Sequence, residues 1–409
     1  MKTFVNAVAV ALIVTACSPK NESASKENSS NDLTAVEIPA LANASLPYLI
    51  TGDDDNLYFS WVEKKDSGWV ELKYAKMEGD SWSEPELIAT GNDWFVNWAD
   101  YPMVAVDAAG NMMAHFLAKS SVGTYSYDVN IVMKKADEVA WSEPTIPHKD
   151  GTPTEHGFAT MLPQGNGNFQ ISWLDGRNTG GGDHESHGGG GAMTIRTALM
   201  DMDGSLTEEA ELDNRVCDCC QTTGVNTSNG PVVMYRDRSE MEIRDMSIVR
   251  SVNQTWTAPT PVYEDNWNID GCPVNGPRAD ALGNDLAIAW YAAANNQPEV
   301  KVIFSSDGGA TFGQPIMIDQ ASPLGRVDIA MINANRALVS WLTSENGKTV
   351  IKARFVEKGG AMEVPITIAE TSESRGSGFP QIEKFGSDVY VAWTVFEKEK
   401  ESAIKMVKF

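Results

Sequence analysis

The chain has 409 residues and is poor in cysteine, histidine and positive charge. It holds five cysteines, five histidines and 32 lysines plus arginines against 56 acids, a formal charge of -24. That balance excludes nucleic acid as a partner and electrostatic adhesion to anionic lipid. Beyond the first residues no apolar run is long enough to span a bilayer. The body nowhere sustains a helical period, which excludes a helical bundle.

The N-terminus carries the clearest local signal. Met1-Lys2 is a short basic start, Phe4 to Val14 is mostly apolar, and Val14-Thr15-Ala16-Cys17 follows. This stretch resembles a bacterial lipobox, in which small residues precede a cysteine that becomes the lipidated mature N-terminus. The expectation is an exported protein anchored by lipid at Cys17 to the cell envelope, at an outer membrane and facing periplasm or surface. Residues 1–17 are the signal, 18–32 a polar Ser/Asn-rich tether with nothing to bury, and 33–409 one folded domain.

What the body does contain is a repeat. Alternating apolar residues end in a bulky one at Trp61, His115, Trp173, Tyr235, Trp290, Trp341 and Trp393, spaced by 54, 58, 62, 55, 51 and 52 residues. Each copy follows a Gly/Asn/Asp turn, and a further strand-like stretch precedes that turn, as in PMVAVD. Period-2 strands between such turns are β signals. Repeats of this length fit the four-stranded blades of an all-β propeller. Seven copies predict seven blades; six is the alternative. The last repeat stops after its third strand, so Leu33 to Leu41 is expected to supply the fourth and close the ring.

A second pattern falls later in the repeats: WSEP at Trp82 and Trp141, WTAP at Trp256, FGQP at Phe312 and MEVP at Met362. One copy sits in the frame Ser305-Ser306-Asp307-Gly308-Gly309-Ala310-Thr311-Phe312. This frame resembles the Asp box of the sialidase and BNR-repeat superfamily, where it forms the turn between the third and fourth strands of a blade. The resemblance implies a propeller whose ligand site lies on the opposite face.

Strands a to d of a blade alternate in direction. The d-to-a and b-to-c loops therefore share one face, around the mouth of the channel. Cys217, Cys219 and Cys220 precede strand a of blade 4, and Cys272 precedes strand a of blade 5. The long b-to-c loop of blade 3, Asp175 to Gly191, carries His184 and His187; His156 opens strand a of that blade and His148 lies before it. Function is expected where loops elaborate one sector. Glu63, Asp175 and Asp237 each lie two residues past the bulky strand-b position, where other blades are neutral. Trp94, Trp98 and Trp267 fall in mouth-side loops and can stack on a sugar ring.

The sialidase resemblance implies a triple-arginine grip on a carboxylate, an aspartate acid/base and a tyrosine nucleophile assisted by a glutamate. Here those roles fall to Arg278, Arg326 and Arg375, to Asp175 or Asp237, and to Tyr235 with Glu242; Arg177, Arg236 and Arg238 add to the ligand-binding charge. The family's Phe-Arg-Ile-Pro motif is absent, and its place reads Leu46-Pro47-Tyr48-Leu49-Ile50. Recognition of a glycan or other acidic small ligand by a monomer is the leading expectation, with glycoside hydrolysis open. A metal-binding or redox lipoprotein and a protein-interaction scaffold compete with it. No cofactor is required; the alternative is copper or zinc on His156, His184 and His187. For the four body cysteines, export favours disulfides. A bond from the cluster to Cys272 would close a loop of 52 to 55 residues, a contribution of about 4 kcal/mol. A four-thiolate metal site or redox pair is the competing reading.

Overall fold

Alternating strands and tight turns build seven sheets in the computed structural model, which describes residues 1, 33–40, 42–180, 191–398 and 401–409. Residues Leu33–Phe409 form a compact unit. The sheets are the blades of a seven-bladed β-propeller; the six-bladed alternative falls. Blade 3 is typical, with antiparallel strands His156–Gly165, Asn168–Asp175, Thr194–Asp201 and Leu206–Asp213 in order. Blade 2 keeps three strands, Val104–Val106, Met112–Lys119 and Tyr127–Lys134, and a single bridge from Ile131 to Thr145 stands where the fourth would be.

Closure uses both ends of the chain. Thr34–Ala35 pairs antiparallel with Glu401–Lys408, in the register Thr34 to Lys408 and Ala35 to Val407, and completes blade 7. The ring thereby loses the exposed edges an open sheet would present. No helix among the described residues is long and apolar enough to cross a membrane.

The repeated bulky position is core. Trp61, Trp173, Trp290 and Trp341 are almost wholly buried on strand b of their blades. Each indole removes roughly 150–250 Å² from water. Strand b lies between neighbouring blades, so both its faces are covered, as the burial of Asn168–Asp175 from Phe169 onward shows.

The W-S/T-x-P pattern also has a structural cause. Ser83, Ser142 and Thr257 accept a backbone N–H of strand c, from Lys76, Met133 and Arg250 respectively. Their own N–H groups bond back to the same residues at 2.8–2.9 Å. The motif thus pins the start of the outer strand to its neighbour. In the Asp box, Asp307 accepts from Ser305 Oγ, Thr311 N and Thr311 Oγ1 at 2.6–2.9 Å. Gly308 and Gly309 have φ of 68° and 78°, left-handed values that glycine adopts without strain. This turn follows strand Glu299–Ser305 and precedes Ile316–Asp319, on the face opposite the mouth.

Candidate functional site at the mouth

The acids past the strand-b aromatic acquire their reason first. Glu63 accepts the Trp61 indole N–H and Asp175 that of Trp173, both at 2.8 Å. In blades 5 and 6 the same indole N–H, from Trp290 and Trp341, goes to Asp265 and Asp319 at 2.7 Å. Those acids lie at or just past the last strand of the preceding blade. Blade 4 follows that second pattern, with the Tyr235 hydroxyl donating to Asp213 at 2.7 Å. A buried indole or phenol donor needs an acceptor, and two solutions serve blades 1, 3, 4, 5 and 6, while Trp393 Nε1 of blade 7 has no partner among the described residues.

This corrects the catalytic expectations. Tyr235 is the core aromatic of blade 4; burial pushes its phenol far above its ordinary pKa. It bonds to Asp213 and not to Glu242, whose carboxylate is held by Arg238 and Arg244 at 2.8 Å each. Burial would raise Asp175, but the Arg177 fork and the charge of His156 outweigh it and hold the carboxyl below its usual range, which suits a counter-ion and not a proton donor. Asp237 is different: burial pushes it up to about 6, with the Arg238 N–H opposing and Asp213 adding.

The three arginines do not form a grip. Arg278 bonds Asp328 at 2.8 Å, Tyr101 at 3.2 Å and Gln381 at 3.4 Å. These partners come from blades 6, 2 and 7, on or beside their innermost strands, so the guanidinium sits in the central channel as part of its packing. Arg326 spends its N–H groups on the Glu373, Ser374 and Gly378 carbonyls and the Ser377 hydroxyl, and stacks over Trp98 at 4.8 Å. Arg375 is exposed. Trp267 is buried under Arg236, and Trp94 and Trp98 stack on Phe116 and Phe379.

Two dense clusters do occupy the mouth. The first lies between blades 2 and 3. The imidazoles of His148 and His156 stack with centroids 3.7 Å apart and planes 9° from parallel. Asp128, Asp150 and Asp175 surround them: His156 Nε2 is 3.2 Å from Asp150 and 3.7 Å from Asp175, and His156 Nδ1 is 3.4 Å from Asp128. His148 Nδ1 is 3.3 Å from Asp150. Both His156 ring nitrogens, His148 Nε2, Asp128 Oδ1 and Asp150 Oδ2 are buried with no hydrogen bond completed among the described residues. Burial lowers His156, yet the three carboxylates prevail and raise it; burial and the neighbouring ring hold His148 near about 4. Imidazole with carboxylate is a donor set suited to zinc or copper(II). His156 was expected in such a set; Asp128 and Asp150 were not, although His148-Lys149-Asp150 offered a short-range signal. His184 and His187 lie outside the described residues.

The second cluster lies between blades 3, 4 and 5. The sulfurs of Cys217, Cys219 and Cys220 lie within 4.8 Å of one another, with Cys217 and Cys220 2.7 Å apart. The Cys272 thiol interacts with those of Cys217 and Cys219. All four are free thiols. Arg244, wholly buried, donates to the Cys217 sulfur at 3.5 Å. Burial opposes ionisation of Cys217, but donation from its three neighbours and the charge of Arg244 bring its pKa well down.

Fold and mouth together define a seven-bladed β-propeller of sialidase/BNR type with a polar mouth. The chain belongs to the BNR repeat-like domain family, whose model matches residues 57–387. Among solved structures it resembles a protein of unknown function from Dyadobacter fermentans DSM 18053, at 14% identity over 92% of this chain and 97% of that one, TM-score 0.52. It also resembles the polysaccharide lyase Uly1, at 9% identity over 95% and 93%, TM-score 0.51. A NanB sialidase from Streptococcus pneumoniae matches at 12% identity over 92% and 70%, TM-score 0.46. At these identities the likeness is one of fold. No curated protein matches the chain.

Proposed function

We propose that this propeller binds an acidic ligand of the glycan class at its mouth, as a monomer held to the bacterial envelope by lipid on Cys17, and does so without sialidase-type hydrolysis. Membership of the BNR family and a fold shared with a polysaccharide lyase support a carbohydrate ligand. One observation supports an acidic one. Lys64, Lys149 and Arg375 are exposed at the mouth ends of blades 1, 3 and 7, and Arg215 is half-buried there on blade 4; none forms an ion pair among the described residues. In a chain of charge -24, exposed cations without an ion pair each offer a contact to an anion on that face. Hydrolysis is set aside because Tyr235 is bonded to Asp213 and Asp175 to Arg177 and Trp173.

The test is calorimetric titration of the purified full chain with sialylated and uronate oligosaccharides, against neutral oligosaccharides of equal length. Acidic sugars are expected to bind and the Lys149→Ala/Arg375→Ala double variant to bind them about tenfold more weakly, two exposed charges contributing up to about 1 kcal/mol each. A fluorogenic sialoside is expected to stay intact. Equal binding of neutral sugars, or sialoside turnover, would contradict the proposal.

A further inference from the structure

We propose that Cys217, Cys219, Cys220 and Cys272 together form a binding site for one thiophilic closed-shell cation, copper(I) or zinc(II). Three of the sulfurs already lie within 4.8 Å of one another, and the close backbone approach of Gly276 to Gln221 brings the Cys272 loop against theirs. A tetrahedral ion with bonds of about 2.3 Å to sulfur holds its ligand atoms roughly 3.8 Å apart. Small movements of the three clustered side chains, with Cys272 turned toward them, therefore close such a shell.

Two further features make the site a built one. The loops bearing the thiols are locked together. Gln221 donates to the Ala99 carbonyl and accepts from Gly276 N, both at 2.9 Å. A Cβ on Gly276 would stand 2.0 Å from the Gln221 carbonyl oxygen, so only glycine lets the Cys272 loop approach the Cys217–Cys220 loop this closely. The second feature is charge. Arg236 is buried and gives its N–H groups to the carbonyls of Arg244, Asn275 and Tyr291, none to a carboxylate. Arg244 is paired with Glu242 at 2.8 Å and points a further N–H at the Cys217 sulfur. Buried guanidinium groups require nearby anions. Thiolates bound to a cation supply them, since four thiolates exceed the charge of either ion; two disulfides would leave the sulfurs neutral and weak acceptors.

The test uses the full chain purified in detergent without oxygen. Zinc(II), copper(I) and cobalt(II) are added separately, and bound metal is counted after dialysis. One ion per chain is expected at the thiols, with sulfur-to-metal charge-transfer absorption for cobalt, a signature that the imidazole and carboxylate cluster cannot give and that separates its uptake from theirs. Whichever of zinc and copper(I) withstands a competing chelator names the resident ion. Cys272 sits on the exposed rim, so Cys272→Ser is expected to fold; losing a ligand should weaken binding by about 100-fold, at or beyond the upper end for removing an outer-shell partner. Two disulfides in the native protein with no uptake after reduction would overturn the proposal. So would uptake without charge-transfer absorption, or uptake unchanged in Cys272→Ser.

Discussion

The two mouth clusters are neighbours of opposite chemical character. Between blades 2 and 3, two imidazoles are ringed by three carboxylates, and Arg177 is the guanidinium that reaches Asp150 and Asp175. Between blades 3, 4 and 5, four thiols are backed by the buried guanidinium of Arg244, with Arg236 close by. The first needs positive charge to settle its carboxylates, and raises His156 to obtain it. The second holds positive charge already, part of it met by Glu242, and draws Cys217 toward thiolate. One ring of equivalent blades thus produces a hard, anionic pocket beside a soft, cation-backed one, because the mouth ends of the strands vary while the strand-b position stays buried throughout.

The sharpest way to break this comparison is at His156. The His156→Ala variant leaves Asp128, Asp150 and Asp175 facing one another without their shared partner, and is expected to lose about 3 to 5 kcal/mol in metal-free protein, as when one member of a buried pair is removed. Urea denaturation reads it. A loss under about 1 kcal/mol would mean that the carboxylates do not depend on the ring.

A smaller effect separates a histidine among carboxylates from one in an apolar core. His115 occupies the bulky position of blade 2, is wholly buried, and is held by burial near about 4. Its unfolded value is about 6.5. Between those values the unfolded chain binds the extra proton, so stability is present above 6.5 and lost as pH falls toward 4. His115→Phe is expected to remove roughly 2 to 3 kcal/mol of that acid loss, read as a flatter dependence of melting temperature on pH. His156, raised instead, contributes with the opposite sign: its share is present below about 6.5 and lost as pH rises through its folded value. The smallest effect belongs to the rim: in metal-free reduced protein Cys272→Ser should change stability by under about 0.5 kcal/mol.

The architecture was largely legible because it is periodic. Seven aromatic-terminated strands, the missing last strand and the Asp box each depend on local sequence, and each appears where expected, including Thr34–Ala35 beside Glu401–Lys408. The mouth was legible only as a neighbourhood. That Cys272 meets Cys217 and Cys219 followed from blade adjacency, since both loops precede strand a. That Asp128 meets His156 did not, because it joins the start of one blade's third strand to the start of the next blade's first. The arginines failed for a related reason. Position at the head of strand a says nothing of whether the side chain turns into the channel, as Arg278 does, or under carbonyls, as Arg326 does. Asp175 looked exceptional beside neutral blades because its indole-accepting role is filled there from another strand, by Asp265 and Asp319.

The most direct measurement is anomalous diffraction from crystals of the full chain grown with zinc or copper(I) under reducing conditions. An anomalous peak is expected about 2.3 Å from the sulfurs of Cys217, Cys219, Cys220 and Cys272. Continuous density joining the sulfurs in two pairs, with no peak among them, would contradict it.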